Sequence, residues 1–209
     1  MSDRYKTICG EAQSEFVEKK SRFITNISPV TSEEEATAYI EAIKKKYYDA
    51  RHNVYAYIIG RKSEVQRYSD DGEPQGTGGI PMLEVLRGEG VTNCVAVVTR
   101  YFGGTLLGTG GLARAYSKGA KDGLLAAGMT EIVLFKQVNI RVDYTLSGKV
   151  QYELMQLNCR LADTLYTEVV EFVTLVERQM AEGLVKHITN VTGGKAVITV
   201  GEDCWLENN

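Results

Sequence analysis

The spacing of apolar positions in the first 135 residues predicts alternating strands and helices. Residues 16–27 are predicted to form one strand with a basic start, Lys19-Lys20-Ser21-Arg22. Ser32 is a predicted N-cap with Glu35 as its capping-box partner, and the helix that follows is expected to reach about Tyr48. Further strands are predicted over residues 53–59, 65–68 and 93–99, a short helix with Pro81 at its first position, and a longer helix over residues 112–127.

From about residue 136 the pattern changes, and glycine becomes sparse. A strand over residues 138–142 precedes a helical stripe formed by Leu146, Val150, Leu154 and Leu157. Residues 165–176 supply one or two strands, a second helical stripe consists of Met180, Leu184 and Ile188, and residues 196–200 close the pattern. This β-α-β-β-α-β order is typical of ferredoxin-like domains. We therefore predict an α+β protein with two domains, residues 1–135 and 136–209.

Charge narrows the choice of partners. The net charge is -3, with 17 Lys/Arg against 17 Asp/Glu up to Phe135 and 7 against 10 after it. A protein that binds nucleic acid over much of its surface is usually basic, so we expect any RNA contact to come from a local patch in the first half.

Cysteine spacing and hydropathy exclude other classes of protein. The 4 cysteines are far apart and only 2 histidines are present, so we expect no structural zinc and no cofactor. No apolar run approaches the roughly 18 residues of a spanning helix, and the first residues do not read as a signal segment. We predict a cytoplasmic protein without a membrane partner.

The chemically distinctive segments are two glycine-rich loops, residues 70–81 and 100–116. Fifteen of the 21 glycines lie between Gly60 and Gly128, and each loop ends at a predicted helix start. Exposed N–H groups and the helix dipole together predict an anion-binding cradle, with Arg100 and Arg114 as further donors. The alternative is that these glycines only satisfy positive φ angles in tight connections.

Acidic residues and a histidine accompany the loops. Asp70, Asp71 and Glu73 could hold a metal ion or act as acid and base, or they could simply form an Asp-Gly turn. His52 is open to a functional interpretation, but a single histidine in this position is more often a hydrogen-bonded structural group. The candidate ligand-binding residues are Arg51, His52, Asp70, Asp71, Glu73, Gly76, Thr77, Arg100, Tyr101, Gly103, Gly104, Gly108, Gly110, Gly111 and Arg114. No catalytic residue and no metal ligand is assigned.

Several stretches taken together resemble the YigZ/IMPACT family. They are Lys19-Lys20-Ser21-Arg22-Phe23, Arg51-His52-Asn53 with Ala56-Tyr57, Ser69-Asp70-Asp71-Gly72-Glu73-Pro74 with Gly76-Thr77, and Arg100-Tyr101-Phe102-Gly103-Gly104 through Leu107-Gly108 to Gly110-Gly111-Leu112. The motifs span about residues 15 to 130. Gly78 departs from the pattern, in which alanine is expected at that position.

The resemblance implies a fold and a cellular setting. It implies an N-terminal domain with the βαβ fold shared with a small-subunit ribosomal protein and the GHMP kinases. It also implies a C-terminal ferredoxin-like domain resembling the last domain of elongation factor G. The eukaryotic members regulate translation, whereas the bacterial two-domain members have no assigned activity, so the family supplies no catalytic residue.

Two functions remain open on the sequence alone. The leading hypothesis is a non-enzymatic, translation-associated protein that contacts RNA, the ribosome or a translation factor through a Gly/Arg-rich anion-binding cleft. The alternative is an enzyme that acts on a phosphorylated or otherwise anionic small molecule, with Asp70 and Asp71 as metal or acid–base groups. The second hypothesis rests on the carboxylates beside the glycine loops and on analogy with a kinase-like fold.

Overall fold

The computed structural model describes residues 3–208 and divides into two compact units. The N-terminal unit comprises residues 4–131, and the C-terminal unit comprises residues 132–208 together with Asp3. The division falls inside a strand, slightly before the predicted boundary at Phe135. Each unit has its own apolar core, as described below.

The N-terminal unit is built from a five-stranded sheet with helices on both faces. The strands of this unit are β1 (Arg4–Ile8), which lies outside the five-stranded sheet, and the five sheet strands β2 (Ala12–Glu18), β3 (Ser21–Pro29), β4 (His52–Ile59), β5 (Val65–Ser69) and β6 (Cys94–Tyr101). Its helices are α1 (Glu33–Lys46), α2 (Gly79–Glu89) and α3 (Thr109–Ala127). The sheet order is β2-β3-β6-β4-β5, and every neighbouring pair is antiparallel.

The central strand β6 has no polar face because both of its sides are covered. Val95 and Val97 pack with α1, whereas Ala96 and Val98 pack with α2 and α3. This explains the continuous apolar run in the sequence. The small residues of α3 allow close approach to the sheet: a Cβ at Gly123 would lie 2.6 Å from Thr25 Cγ2.

The prediction of one strand over residues 16–27 was wrong, because the chain turns back in its middle. Lys19 and Lys20 form a two-residue hairpin loop, in which Glu18 pairs with Ser21. Their φ angles of 46° and 65° are those of a mirror-image turn, which normally contains Asn or Gly. Two lysines lack that signature, so no turn residue in the sequence marked the reversal of the chain.

Helix boundaries differ from the predictions by a few residues. The Ser32 hydroxyl accepts from the Glu35 N–H at 3.2 Å, as predicted, but the Glu35 carboxylate accepts from the Thr31 N–H instead of from that of Ser32. Helix α1 ends at Lys46, short of Tyr48. Helix α2 begins at Gly79, which makes Pro81 its third residue, and α3 begins at Thr109.

The C-terminal unit confirms the predicted β-α-β-β-α-β order. Its elements are β7 (Met129–Val142), which begins in the N-terminal unit, α4 (Tyr144–Gln156), β8 (Arg160–Tyr166), β9 (Val170–Glu177), α5 (Ala181–Val191) and β10 (Val197–Glu207). The antiparallel order β10-β7-β9-β8 is that of a ferredoxin-like sheet. Val150 and Leu154 of α4 and Leu184 and Ile188 of α5 share one core.

The fold is therefore mixed α+β with two domains, as predicted. The finer likenesses to a ribosomal protein, to GHMP kinases and to elongation factor G stay predictions. Within residues 3–208, no helix is both long and apolar enough to cross a membrane.

Candidate functional site

The first glycine loop is closed by its own carboxylate. Asp70 Oδ1 accepts from the N–H groups of Gly78 and Gly79 at 2.8 Å each, and its Oδ2 accepts from Gly76 at 2.7 Å. These amides surround the start of α2, where the helix dipole favours a negative charge. The expectation that this loop offers an open anion cradle is corrected, because Asp70 occupies that position.

Asp71 also serves the loop. Its Oδ2 accepts from the Asn53 N–H at 2.6 Å, and its backbone carbonyl lies 2.9 Å from His52 Nδ1. A carbonyl can only accept, so this contact assigns the ring hydrogen to Nδ1 and leaves Nε2 as the acceptor nitrogen. The Asp-Gly turn interpretation therefore fits both carboxylates. No group of three or more His, Cys, Asp or Glu side chains within residues 3–208 is placed to hold a metal ion.

Glu73 and Arg100 form a buried ion pair. Their side chains are only 4% and 6% exposed, and Arg100 Nη1 donates to Glu73 Oε1 at 2.7 Å. The Tyr116 hydroxyl donates to the same oxygen at 2.8 Å, and burial together with the Glu73 charge raises the Tyr116 pKa above its usual value. Arg100 was expected to offer a bidentate fork to an external anion. Instead its charge balances Glu73, because an unpaired carboxylate could not stay buried.

The same arginine links the second glycine loop to the β2–β3 hairpin. Arg100 Nη2 and the Gly103 N–H both donate to Ser21 Oγ, at 3.3 and 3.2 Å. A Cβ at Gly103 would overlap the backbone of Lys20, so this glycine is required by close approach. The neighbouring Tyr101 hydroxyl donates to Asp49 at 2.6 Å. These contacts hold the segment that precedes α3 in one conformation.

The start of α3, in contrast, has no internal cap. Gly108 occupies the N-cap position with φ 73°, no side chain within residues 3–208 bonds to the first turn, and that turn contains no acidic residue. The first helical backbone bond within this region runs from Leu112 to the Gly108 carbonyl. The N–H groups of Thr109, Gly110 and Gly111 therefore remain available to a ligand or to water.

A cavity of about 430 Å³, which we call the α3 cavity, adjoins this helix start. It is lined by Arg51, His52, Glu73, Pro74, Arg100, Phe102, Leu106, Leu107, Gly108, Thr109 and Leu112. Arg51 is exposed and has no ion-pair partner among the described residues. Because Glu73 is neutralised by Arg100, Arg51 and the helix dipole make the cavity electropositive.

A second, smaller cavity of about 210 Å³ lies on the other side of Leu107. Lys19, Arg114 and Lys118 line it. Arg114, Lys118 and Lys121 are spaced along one face of α3, and with Lys19 they form what we call the basic strip. Lys118 is paired with Asp122, while no other member of the strip has an ion-pair partner within residues 3–208.

The structure gathers only part of the predicted site into the α3 cavity. Arg51, His52, Glu73, Arg100 and Gly108 line it, and Gly111 and Arg114 line the smaller cavity. Asp70, Asp71, Gly76, Thr77, Tyr101, Gly103, Gly104 and Gly110 line neither cavity. Their assignment to a ligand stays a prediction.

Several residues of these surfaces are absent from the predicted site, and four of them matter for binding. They are Phe102, Thr109, Lys118 and Lys121. One feature of the sequence indicates that Phe102 is exposed. It stands between Tyr101 and two glycines, so few neighbouring side chains are present to bury it. The lysines follow Arg114 at helical spacing, which predicts a basic helix face.

Comparisons with known proteins match both units. The Impact N-terminal domain profile matches residues 19–124, and a domain of unknown function, DUF1949, matches residues 140–195. The chain is 43% identical over 207 residues to the IMPACT family member YvyE of Bacillus subtilis, covering 99% of this chain and 95% of that one. It is 48% identical over 108 residues to the IMPACT family member YigZ of Escherichia coli, which covers 51% of this chain and 53% of that one.

A solved structure has the same fold. It is described as the crystal structure of an hypothetical protein, and it aligns with a TM-score of 0.62 at 29% identity. The alignment covers 97% of this chain and 99% of the other. The alignment thus extends over residues of both units.

Proposed function

The chain belongs to the IMPACT family, and from that premise we propose that it is a non-enzymatic, translation-associated protein that binds RNA phosphates around the start of α3. Membership of this family supports a general regulatory role. The RNA contact is the more specific part of the proposal. It rests on one observation: an uncapped helix start lies between two cavities that are both bordered by cationic side chains.

The extent of the charged surface favours a polymer over a small anion. One phosphate group would satisfy the α3 cavity, with the amides at residues 109–111 and Arg51 as donors. From Arg114 to Lys121 the basic strip extends along α3 by about 10 Å, at ~1.5 Å per residue. This distance exceeds the size of a single phosphate, so a chain of phosphates would use the whole surface.

The enzyme hypothesis loses the groups on which it depended. Asp70 accepts three backbone N–H groups, and Asp71 accepts one while its carbonyl contacts His52. A carboxylate with its oxygens engaged in holding a loop is a poor candidate for a metal ligand or a proton acceptor. A binding role for the second glycine-rich loop requires neither Asp70 nor Asp71.

The direct test measures RNA affinity across a salt series. A labelled single-stranded RNA oligomer would be titrated with the wild type, Arg51→Ala and Arg114→Ala, with fluorescence anisotropy as the signal. We expect weak binding at low salt, and a slope of log affinity against log salt that falls by about 0.7 for each phosphate contact removed.

The matched control is Lys62→Ala. Lys62 is exposed, lies in the same unit and carries the same charge, but it follows the far end of β4, roughly 25 Å from Arg51 at ~3.3 Å per residue. If Lys62→Ala weakened binding as much as Arg51→Ala, only the overall charge would matter. Absence of wild-type binding at low salt would also reject the proposal.

The translation setting needs its own measurement. The wild type and an Arg51→Ala/Arg114→Ala double variant would be sedimented with purified ribosomes at low and moderate salt. We expect the wild type to co-sediment at low salt and the double variant to remain largely in the supernatant. If both proteins co-sedimented equally, ribosome association would not depend on this surface.

A further inference from the structure

A ladder of planar groups, three aromatic rings and one guanidinium, runs through the N-terminal unit and ends at an exposed ring. The rings of Phe16 and Phe23 are stacked at 5.0 Å with an interplanar angle of 5°. The Arg100 guanidinium carbon lies 5.6 Å from the Phe23 centroid and 5.6 Å from that of Phe102. Phe102 is 51% exposed and borders the α3 cavity, so the ladder stops at a ring with solvent beside it.

The exposed ring is held in place from behind. Arg100, against which Phe102 stacks, is fixed by Glu73 and Ser21, and its Nε has no hydrogen-bond partner within the described chain. The next residue, Gly103, is tied to Ser21 through its N–H. Phe102 therefore loses little conformational freedom when a ligand packs on it, which favours binding.

We propose that Phe102 is a stacking platform for one unpaired nucleobase of an RNA strand whose phosphate lies at the start of α3. This inference rests on the proposed function and names the ligand class more narrowly, as a single-stranded nucleotide. Aromatic side chains bind single-stranded nucleic acid in this way, because every base has a flat face. Thr109 and Arg51 line the same cavity as Phe102, so base and phosphate contacts are available together.

Other planar ligands fit the surroundings less well. An arginine side chain of a partner protein would meet Arg51 and the positive end of α3. An aromatic side chain of a partner would stack, but it would leave the cationic donors without an anion. A nucleotide carries a flat apolar group and a negative charge on one small unit, which matches both features of the cavity.

The test compares two ligands that differ only in their bases. One is an oligouridylate, and the other is an abasic ribose-phosphate oligomer of the same length with the same label. We expect the wild type to prefer the oligouridylate by roughly 5- to 150-fold, the range that corresponds to stacking of one base. We expect Phe102→Ala to remove this preference while leaving affinity for the abasic oligomer unchanged.

Three variants guard against trivial effects. Phe102→Leu keeps an apolar side chain in the loop and should also lose the preference, whereas Phe102→Trp should keep it or increase it. Tyr152→Ala removes an aromatic residue that is 59% exposed in the C-terminal unit, and it should change nothing. Circular dichroism would show that each variant is folded.

The outcomes separate this inference from the proposed function. If the wild type binds both oligomers equally, or if Phe102→Ala keeps the preference for bases, the stacking platform is wrong. In that case, a loss of affinity for both oligomers in Arg51→Ala would still support the proposed binding of phosphates at the start of α3. If neither oligomer binds the wild type at low salt, the proposed function and the stacking platform are rejected together.

Discussion

The two glycine-rich loops look alike in sequence but differ in what occupies the helix start that each leads to. At α2, the Asp70 carboxylate accepts from the N–H groups of Gly76, Gly78 and Gly79. At α3, Gly108 is the N-cap and no side chain takes that place. The same composition thus produces one closed turn and one open cradle.

The difference comes from the position of acidic residues. Asp70 lies six to nine residues before the amides it caps, close enough for the loop to fold back onto it. Between Tyr101 and Lys121 the sequence contains no Asp or Glu, so α3 has no internal anion of its own nearby in the chain. A glycine-rich loop before a helix indicates an anion site; whether that site is open depends on whether the chain supplies the anion.

Arg100 should show the largest effect, because it joins the two loops. Arg100→Ala leaves Glu73 buried and unpaired, and we expect a loss of about 3–5 kcal/mol in the free energy of unfolding. Arg51→Ala, at an exposed arginine of the same cavity, should cost less than ~0.5 kcal/mol. Urea denaturation of both variants checks this, and equal losses would mean that the buried pair is not the link between the loops.

Asp70 should show the next largest effect. Asp70→Ala removes the acceptor of three N–H groups, and we expect a loss of about 2–4 kcal/mol in unfolding free energy with little change in RNA affinity. Asp70→Asn keeps one acceptor oxygen, so its unfolding free energy should lie between those of Asp70→Ala and the wild type. An Asp70→Ala variant that loses stability, remains folded and gains an anion site at α2 would sharpen the comparison, whereas an unchanged unfolding free energy would contradict it.

Closing the open loop is the reciprocal change. Thr109→Asp places a carboxylate in the first turn of α3, which should stabilise the helix by about 0.3–1 kcal/mol and lower RNA affinity about tenfold. Thr109→Asn has a similar size without the charge and should bind nearly as the wild type does. If Thr109→Asp bound RNA as tightly as the wild type, the RNA phosphate would not bind at the start of α3.

Tyr116 gives a modest predicted effect that depends on pH. Burial, with the Glu73 charge, raises its pKa, so the fold gains stability from the neutral phenol below the unfolded pKa of about 10 and loses it as pH rises further. Tyr116→Phe should cost about 1 kcal/mol at pH 7 through the lost hydrogen bond. The stability of the variant should fall less between pH 9 and 10.5 than that of the wild type, and parallel losses would contradict the assignment.

Much of the fold was predictable because the spacing of apolar residues along the chain shows which side of each helix or strand is buried. The β-α-β-β-α-β order after residue 136 follows from alternating and helical stripes, and Ser32 was correctly assigned as an N-cap. The hairpin at Lys19 and Lys20 was not predictable, because its turn uses residues without turn propensity. Local patterns report local conformation, so a turn with neither Asn nor Gly passes unnoticed.

The candidate site residues could be named from the sequence, but their pairing could not. The glycine loops and Arg51 were identified, but nothing local to Asp70 indicates that its carboxylate would bind the amides of Gly78 and Gly79. Likewise, Arg100 and Glu73 are 27 residues apart in the chain and meet only because the loops fold against α3. Which charges stay free is a property of tertiary structure.

The most direct test of the comparison is a backbone amide NMR titration with a single-stranded RNA oligomer at low salt. If α3 is the open cradle, the amide signals of Thr109, Gly110 and Gly111 will shift on binding, while those of Gly76, Gly78 and Gly79 will stay close to their positions in the free protein. Shifts concentrated at Gly76, Gly78 and Gly79, or binding without shifts at either helix start, would contradict the account.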